Sequence, residues 1–195
     1  MPMAMPTSVH TSFEGRFISY DTAEHSVSLR RTQSLKETLV PRASGTYALL
    51  EAGRAAGIKR IAFASSSAIY GESEAELVED MGPLLPISSY GAAKLASESY
   101  LSAAAESYLE RIWIFRFPNV VGPRATHGAI FDFVRQLAAG AKTLKVLGDG
   151  NQSKPYLHVS ELIAAMRFIC ERAMARRNVF NIGPEAGSTS VDRKS

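Results

Sequence analysis

From residue 45 onward, short apolar runs alternate with stretches long enough to be helices, and this alternation constrains the fold most. Residues 46–56 read as a helix, with Gly57 as its C-terminal stop. Arg60-Ile-Ala-Phe-Ala64 has the length of a buried parallel strand. Residues 71–88, rich in Gly, Pro and acid, read as a loop. A long helix is expected over 89–108, with Ser88 or Ser89 as N-cap. Next come a strand over 111–117, a loop over 118–126, a helix over 129–139 and a short strand over 144–147. A helix over 160–175, capped by Ser160, leads to a last strand over 178–182 and a polar tail. Helices between successive strands supply the crossovers of a parallel sheet covered on both faces, so the fold class is α/β.

Residues 1–40 differ from the rest. They are rich in Ser, Thr and charge without a sustained period of 2 or 3.6, although Phe17, Ile18 and Tyr20 would suit a short strand. The reading is a poorly ordered or non-homologous opening segment followed by one domain over 41–190. A chain of 195 residues allows one sizeable core. The net charge of +3 suits an anionic ligand, but Lys and Arg are scattered, without the dense basic run of a nucleic-acid binder. No apolar run reaches the roughly 18 residues of a membrane span. The first ten residues carry neither a basic nor an apolar signal region, so the expected location is cytoplasmic. The single cysteine, Cys170, has no partner for an internal disulfide and no neighbouring ligand set for a metal.

The strongest chemical signal is Tyr90-Gly-Ala-Ala-Lys94 at the start of the long helix. Residues four apart share a helical face, so a phenol and an ammonium project together. A free tyrosine, with a pKa of roughly 10, is a poor base at neutral pH. A neighbouring cation favours the phenolate and makes proton abstraction from a hydroxyl feasible. Alone, the pair is better read as a surface pair on a solvated helix. Upstream, however, the strand over 60–64 runs straight into Ser65-Ser66-Ser67-Ala68-Ile69-Tyr70-Gly71. Ligands of parallel sheets sit beyond the carboxyl ends of the strands, where such hydroxyls can bond a reacting oxygen. Serines after a strand otherwise make a turn; the two segments together favour a site.

These two segments resemble the extended short-chain dehydrogenase/reductase family, and within it the NAD-dependent epimerase/dehydratase branch that includes UDP-glucose 4-epimerase. Three further runs follow in the family's order: Phe115-Arg-Phe-Pro-Asn-Val-Val-Gly-Pro-Arg124, Leu147-Gly-Asp-Gly-Asn-Gln-Ser-Lys-Pro-Tyr-Leu-His-Val159 and Val179-Phe-Asn-Ile-Gly183. The resemblance spans about 45–190. It implies a partial NAD(P)-binding Rossmann-like doubly wound sheet with part of a substrate subdomain. It implies Tyr90 as acid/base, Lys94 as its activator and ribose ligand, and Ser66 as the hydroxyl partner, with Ser67 as the close alternative. Ser65 and Pro118 would lie along the NAD cofactor, and Ser67, Asn119, Lys154 and Tyr156 along a nucleotide-sugar substrate. Lys154 stands where relatives often carry an arginine, which keeps the charge but loses the planar fork. Tyr156 also reads as a half-buried strand aromatic. Dehydratases of the branch usually place acid after the catalytic hydroxyl, where Ser67 and Ala68 stand here, so epimerisation is favoured.

The resemblance has gaps. None of the 14 glycines forms the Gly-x-x-Gly-x-x-Gly turn that receives the pyrophosphate at a helix N-terminus. Pro41 stands where relatives carry a cofactor-touching asparagine. The expectation is a family member lacking its first strands and shortened at both ends, with weak or no activity alone. A non-catalytic interaction protein is the alternative. Expected partners are a second copy, packed through helices 46–56 and 89–108, or a chain supplying the N-terminal half, with no nucleic acid or membrane.

Overall fold

A computed structural model describes residues 35–73, 75–126, 128–145 and 154–184, with side chains from residue 43 onward. Helix α1 (Leu35–Ala55) is followed by strand β1 (Arg60–Ser66), a 3-10 turn (Ser67–Ile69) and helix α2 (Ser89–Ser107). Strands β2 (Arg111–Phe117) and β3 (Asn119–Val121) follow with only Pro118 between them, then α3 (Ala129–Ala138), β4 (Tyr156–His158), α4 (Val159–Arg172) and β5 (Arg177–Asn181).

Strands β1, β2 and β5 form one parallel sheet in that order, with β2 in the middle. Rows cross it in register: Ser65 beside Arg116 beside Asn181, and Ser66 beside Phe117. Alternation along each strand sorts side chains onto two faces. On one face Ile61, Phe63, Ile112, Ile114 and Val179 pack with Leu50 of α1 and Leu101, Ala104 and Ala105 of α2. On the other, Ala62, Trp113, Phe115, Phe117 and Phe180 meet Leu162, Met166 and Ile169 of α4. The sheet is therefore covered on both sides, as expected of a doubly wound α/β fold. A second parallel pair, β3 with β4, joins Asn119 to Tyr156 and Val121 to His158.

Several boundaries differ from expectation. Helix α1 starts at Leu35, inside the segment set apart as 1–40, because a polar stretch joins a helix without announcing itself by apolar period. Strand β1 runs two residues past Ala64, through Ser65 and Ser66. The stretch 118–126 contains β3 and is not all loop, and β4 is anticipated only in the strand reading of Tyr156; three-residue strands are too short to show a period. His158 rather than Ser160 caps α4, its ring accepting from the Ser160 amide while Glu161 reaches back to the His158 amide. Leu144 and Lys145 form no strand; the rest of the expected strand, the run 147–153, the stretch around Phe17 and the polar tail lie outside the described residues. Gly57 does sit just past α1, at a φ of 72° that suits glycine.

Candidate functional site

The site begins where β1 ends. Ser66 has extended backbone and caps the 3-10 turn, its hydroxyl accepting from the Ala68 amide at 3.2 Å. That use leaves the hydroxyl its own proton to donate. Helix α2 starts beside this turn, with the Ser88 hydroxyl accepting from the Gly91 amide at 3.0 Å. Gly91 makes the approach possible. A Cβ there would lie closer than 3.0 Å to the Ala68 carbonyl oxygen and 2.9 Å from Pro86 Cβ. The missing side chain lets the turn bearing Ser66 and Ser67 sit against the helical turn bearing Tyr90.

Tyr90 and Lys94 share one face of α2, with the ammonium 5.7 Å from the Tyr90 ring centroid and 5.0 Å from that of Phe63. Lys94 is 8% exposed, and its Nζ donates to the Ala64 carbonyl at 2.7 Å. A buried ammonium needs such partners, since desolvation penalises the charge. Tyr90 is half-buried. Tyr90, Lys94, Ser66 and Ser67 thus gather at the carboxyl end of β1, at the edge where parallel sheets bind ligands.

Ser65 does not join them. It is 1% exposed and donates its hydroxyl to Glu98 Oε1. Alternation turns Ser65 toward α2 and Ser66 to the other side, and an expected strand ending at Ala64 hid this. The expectation that Ser65 touches a cofactor finds no support in its position.

Beneath the site lies a buried polar network that the sequence reading missed. Arg116 donates from Nε to Glu98 Oε1 at 3.2 Å and from Nη2 to Oε2 at 2.8 Å. Its Nη1 donates to the Tyr70 hydroxyl at 2.8 Å and to the Glu79 carbonyl at 3.0 Å. Tyr70 donates in turn to Asn181 Oδ1 at 2.8 Å, and Asn181 Nδ2 donates to the Leu77 carbonyl at 2.8 Å. Burial weakens the Arg116 charge, but the hydrogen bonds to Glu98 and Tyr70 and the Glu98 charge outweigh it, so the guanidinium holds its proton more tightly than usual. The available signal was charge inside apolar patterns: Arg116 interrupts a strand of Ile, Trp and Phe, and Glu98 continues the stripe of Tyr90 and Lys94.

Of the residues expected along a substrate, Ser67 lies in the turn beside Tyr90, Asn119 and Tyr156 meet on the second sheet, and Lys154 precedes β4. Pro118 follows β2 directly and lies near Gly183 at the end of β5, where an added Cβ would be 3.9 Å from the proline Cγ. Asn119 is exposed, faces Tyr156 in register, and donates to the Pro155 carbonyl at 3.4 Å. Tyr156 is half-buried, and Lys154, two residues earlier, is exposed. Among the described residues no group of His, Cys, Asp and Glu is arranged to hold a metal, and no helix is long and apolar enough to cross a membrane. Cys170 sits half-buried in α4, where burial and the neighbouring Glu171 raise its thiol above the usual range.

The model of the NAD-dependent epimerase/dehydratase family matches residues 18–183. The chain belongs to that family. The match takes in the site described above and begins within the opening segment. This family member is 32% identical over 168 residues to a UDP-glucose 4-epimerase of Lacticaseibacillus casei, covering 76% of this chain and 50% of that one. It superposes on a crystal structure of UDP-galactose 4-epimerase with a TM-score of 0.73 at 32% identity, over 86% of this chain and 55% of the other. The complex of MoeE5 with UDP-glucose and NAD gives a TM-score of 0.68 at 32% identity, over 74% and 49% of the two chains. The chain spans about half the length, or less, of the curated relatives it matches.

Proposed function

We propose that this family member serves NAD-dependent epimerisation of a nucleotide sugar, of the UDP-sugar 4-epimerase kind. One observation carries the reading: Tyr90 and Lys94 stand side by side on α2, against the Ser66–Ser67 turn at the carboxyl end of β1. An ammonium, a phenol and two hydroxyls gathered at one strand end form a donor set that fits the ribose end of a dinucleotide. NAD, when bound, supplies a hydride acceptor.

The chain's own residues handle the proton. Tyr90 takes it from the reacting sugar hydroxyl at its phenol oxygen and returns it later. The Lys94 charge favours the phenolate and holds ribose hydroxyls. Ser66, or Ser67 beside it, donates a hydrogen bond to the reacting oxygen. Pro118 would border the nicotinamide, while Asn119 and Tyr156 of the second sheet, with Lys154 ahead of β4, would contact the sugar nucleotide. Ser65 has a structural part here through Glu98. A second copy is the proposed partner, through the outer faces of α1 and α2, where Tyr47 (54% exposed) and Tyr100 (42% exposed) meet at a tilt with centroids 5.9 Å apart. A chain that supplies the glycine-rich turn is the other.

Calorimetric titration of the purified chain with NAD, with Lys94→Ala as control, tests the reading. Binding that the substitution weakens is the expected result. A well-folded chain that takes up no NAD at millimolar concentration would sink the reading for the chain alone and favour a non-catalytic interaction role.

A further inference from the structure

Tyr90, Lys94 and Glu98 occupy successive turns of one stripe on α2. A carboxylate four residues from a lysine is that lysine's natural partner on a helix. Both carboxylate oxygens are nevertheless committed elsewhere. Oε1 accepts from Ser65 of β1 and from Arg116 Nε of β2, and Oε2 accepts from Arg116 Nη2. The Glu98 and Arg116 side chains are each 7% exposed, so the pair is desolvated and the buried positive charge neutralises the carboxylate in place. Lys94 points instead to the Ala64 carbonyl, with its ammonium beside the Tyr90 ring.

We infer that Arg116 is a positioning residue: by saturating Glu98 it keeps that carboxylate from drawing Lys94 down the helix, and so holds the ammonium beside Tyr90. The inference rests on the proposed Tyr90–Lys94 pairing. It assigns the charge inside β2 a task beyond packing, carried out through Lys94 and without contact with a ligand. The groups facing Glu98 are Ser65 from β1 and Arg116 from β2, with Tyr70 behind the guanidinium.

The test reads Tyr90 ionisation in the full chain without NAD, as phenolate absorbance on raising pH, each variant compared with its own Tyr90→Phe counterpart. Arg116→Gln keeps a donor toward Glu98 but removes the positive charge. It is expected to raise the pH of Tyr90 ionisation by about one unit, the low end of what a nearby opposite charge contributes. Adding Glu98→Gln should abolish the rise, because no carboxylate remains to capture Lys94. In a Lys94→Met background, Arg116→Gln should add nothing. Arg116→Lys keeps the charge without the fork and should leave Tyr90 ionisation at its native value, which keeps a reading available if Arg116→Gln fails to fold. The inference is overturned if Arg116→Lys raises the ionisation, if the Glu98→Gln, Arg116→Gln pair retains the rise, or if Lys94→Met leaves the Arg116 effect intact. NAD is absent throughout, so a failure of cofactor binding would show in the calorimetry and not here.

Discussion

Replacing Gly91 with alanine separates local preference from packing. Alanine is the better helix former, by at most about 1 kcal/mol at an interior position. At Gly91 the added Cβ would press on the Ala68 carbonyl and stand 2.9 Å from Pro86 Cβ, closer than the 3.0 Å that real Cβ atoms keep. The first obstacle is backbone, which cannot rotate away, so the turn or the helix must shift. Overpacking of this kind costs about 1–3 kcal/mol, and the backbone contact puts Gly91→Ala in the upper part of that range. The expected net loss is about 1–2 kcal/mol, or roughly 2–8 °C in Tm for a chain of this size. Gly53 provides the internal control. It also lies in a helix, but its added Cβ would meet only Ile58 side-chain atoms at 3.7 and 3.8 Å, ordinary contact. Gly53→Ala should therefore gain roughly 0.5–1 kcal/mol. Urea unfolding of the two variants beside the native chain gives both numbers. A Gly91→Ala chain as stable as the native one would refute the claim that this glycine sets how closely the serine turn approaches Tyr90.

Two further outcomes follow from single side chains. The Tyr108 hydroxyl donates to the Leu50 carbonyl at 2.7 Å, and burial first, then Glu51, raises its ionisation above the ordinary 10.0, against an opposing pull from Arg54. A raised acid contributes stability that is fully present below the unfolded value and lost as pH climbs through the folded one. Stability should thus fall above about pH 10, and Tyr108→Phe should flatten that fall in an unfolding series while losing about 1 kcal/mol at neutral pH. His158→Ala removes the ring that caps α4 and should lower stability by about 1 kcal/mol, with amide exchange quickening first at residues 159–161.

What the sequence made legible follows the length and strength of each local signal. Strand β2 was read over 111–117 and found there, because seven residues of mostly apolar, branched and aromatic character leave few alternatives. Helix α2 was placed within one residue, from a serine cap and a long run of good helix formers. The Tyr90–Lys94 face was readable because four residues make one helical turn. Strand β3 was not, and β4 showed only in Tyr156, since each has three residues and 34 residues lie between Val121 and Tyr156. The burial of Ser65 was not legible because three consecutive serines look alike until the strand is known to run through two of them, when alternation separates their directions. The Glu98–Arg116 bond joins residues 18 apart on a helix and a strand, a pairing that the packing of α2 on the sheet discloses.

The single proline between β2 and β3 governs how the two sheets work together. The chain from Arg111 to Val121 belongs to both, and it changes sheets at Pro118. Its ring locks φ, leaving only ψ at that residue to vary. The link is an elbow with one of its two axes welded. Asn119 and the Tyr156 it faces are therefore aimed relative to the Tyr90 end of the molecule by the direction in which β2 leaves the large sheet. A sugar held against the small sheet would be presented at a bearing that this joint can change about one axis only, so adjustment in other directions would have to come from side chains or from other segments.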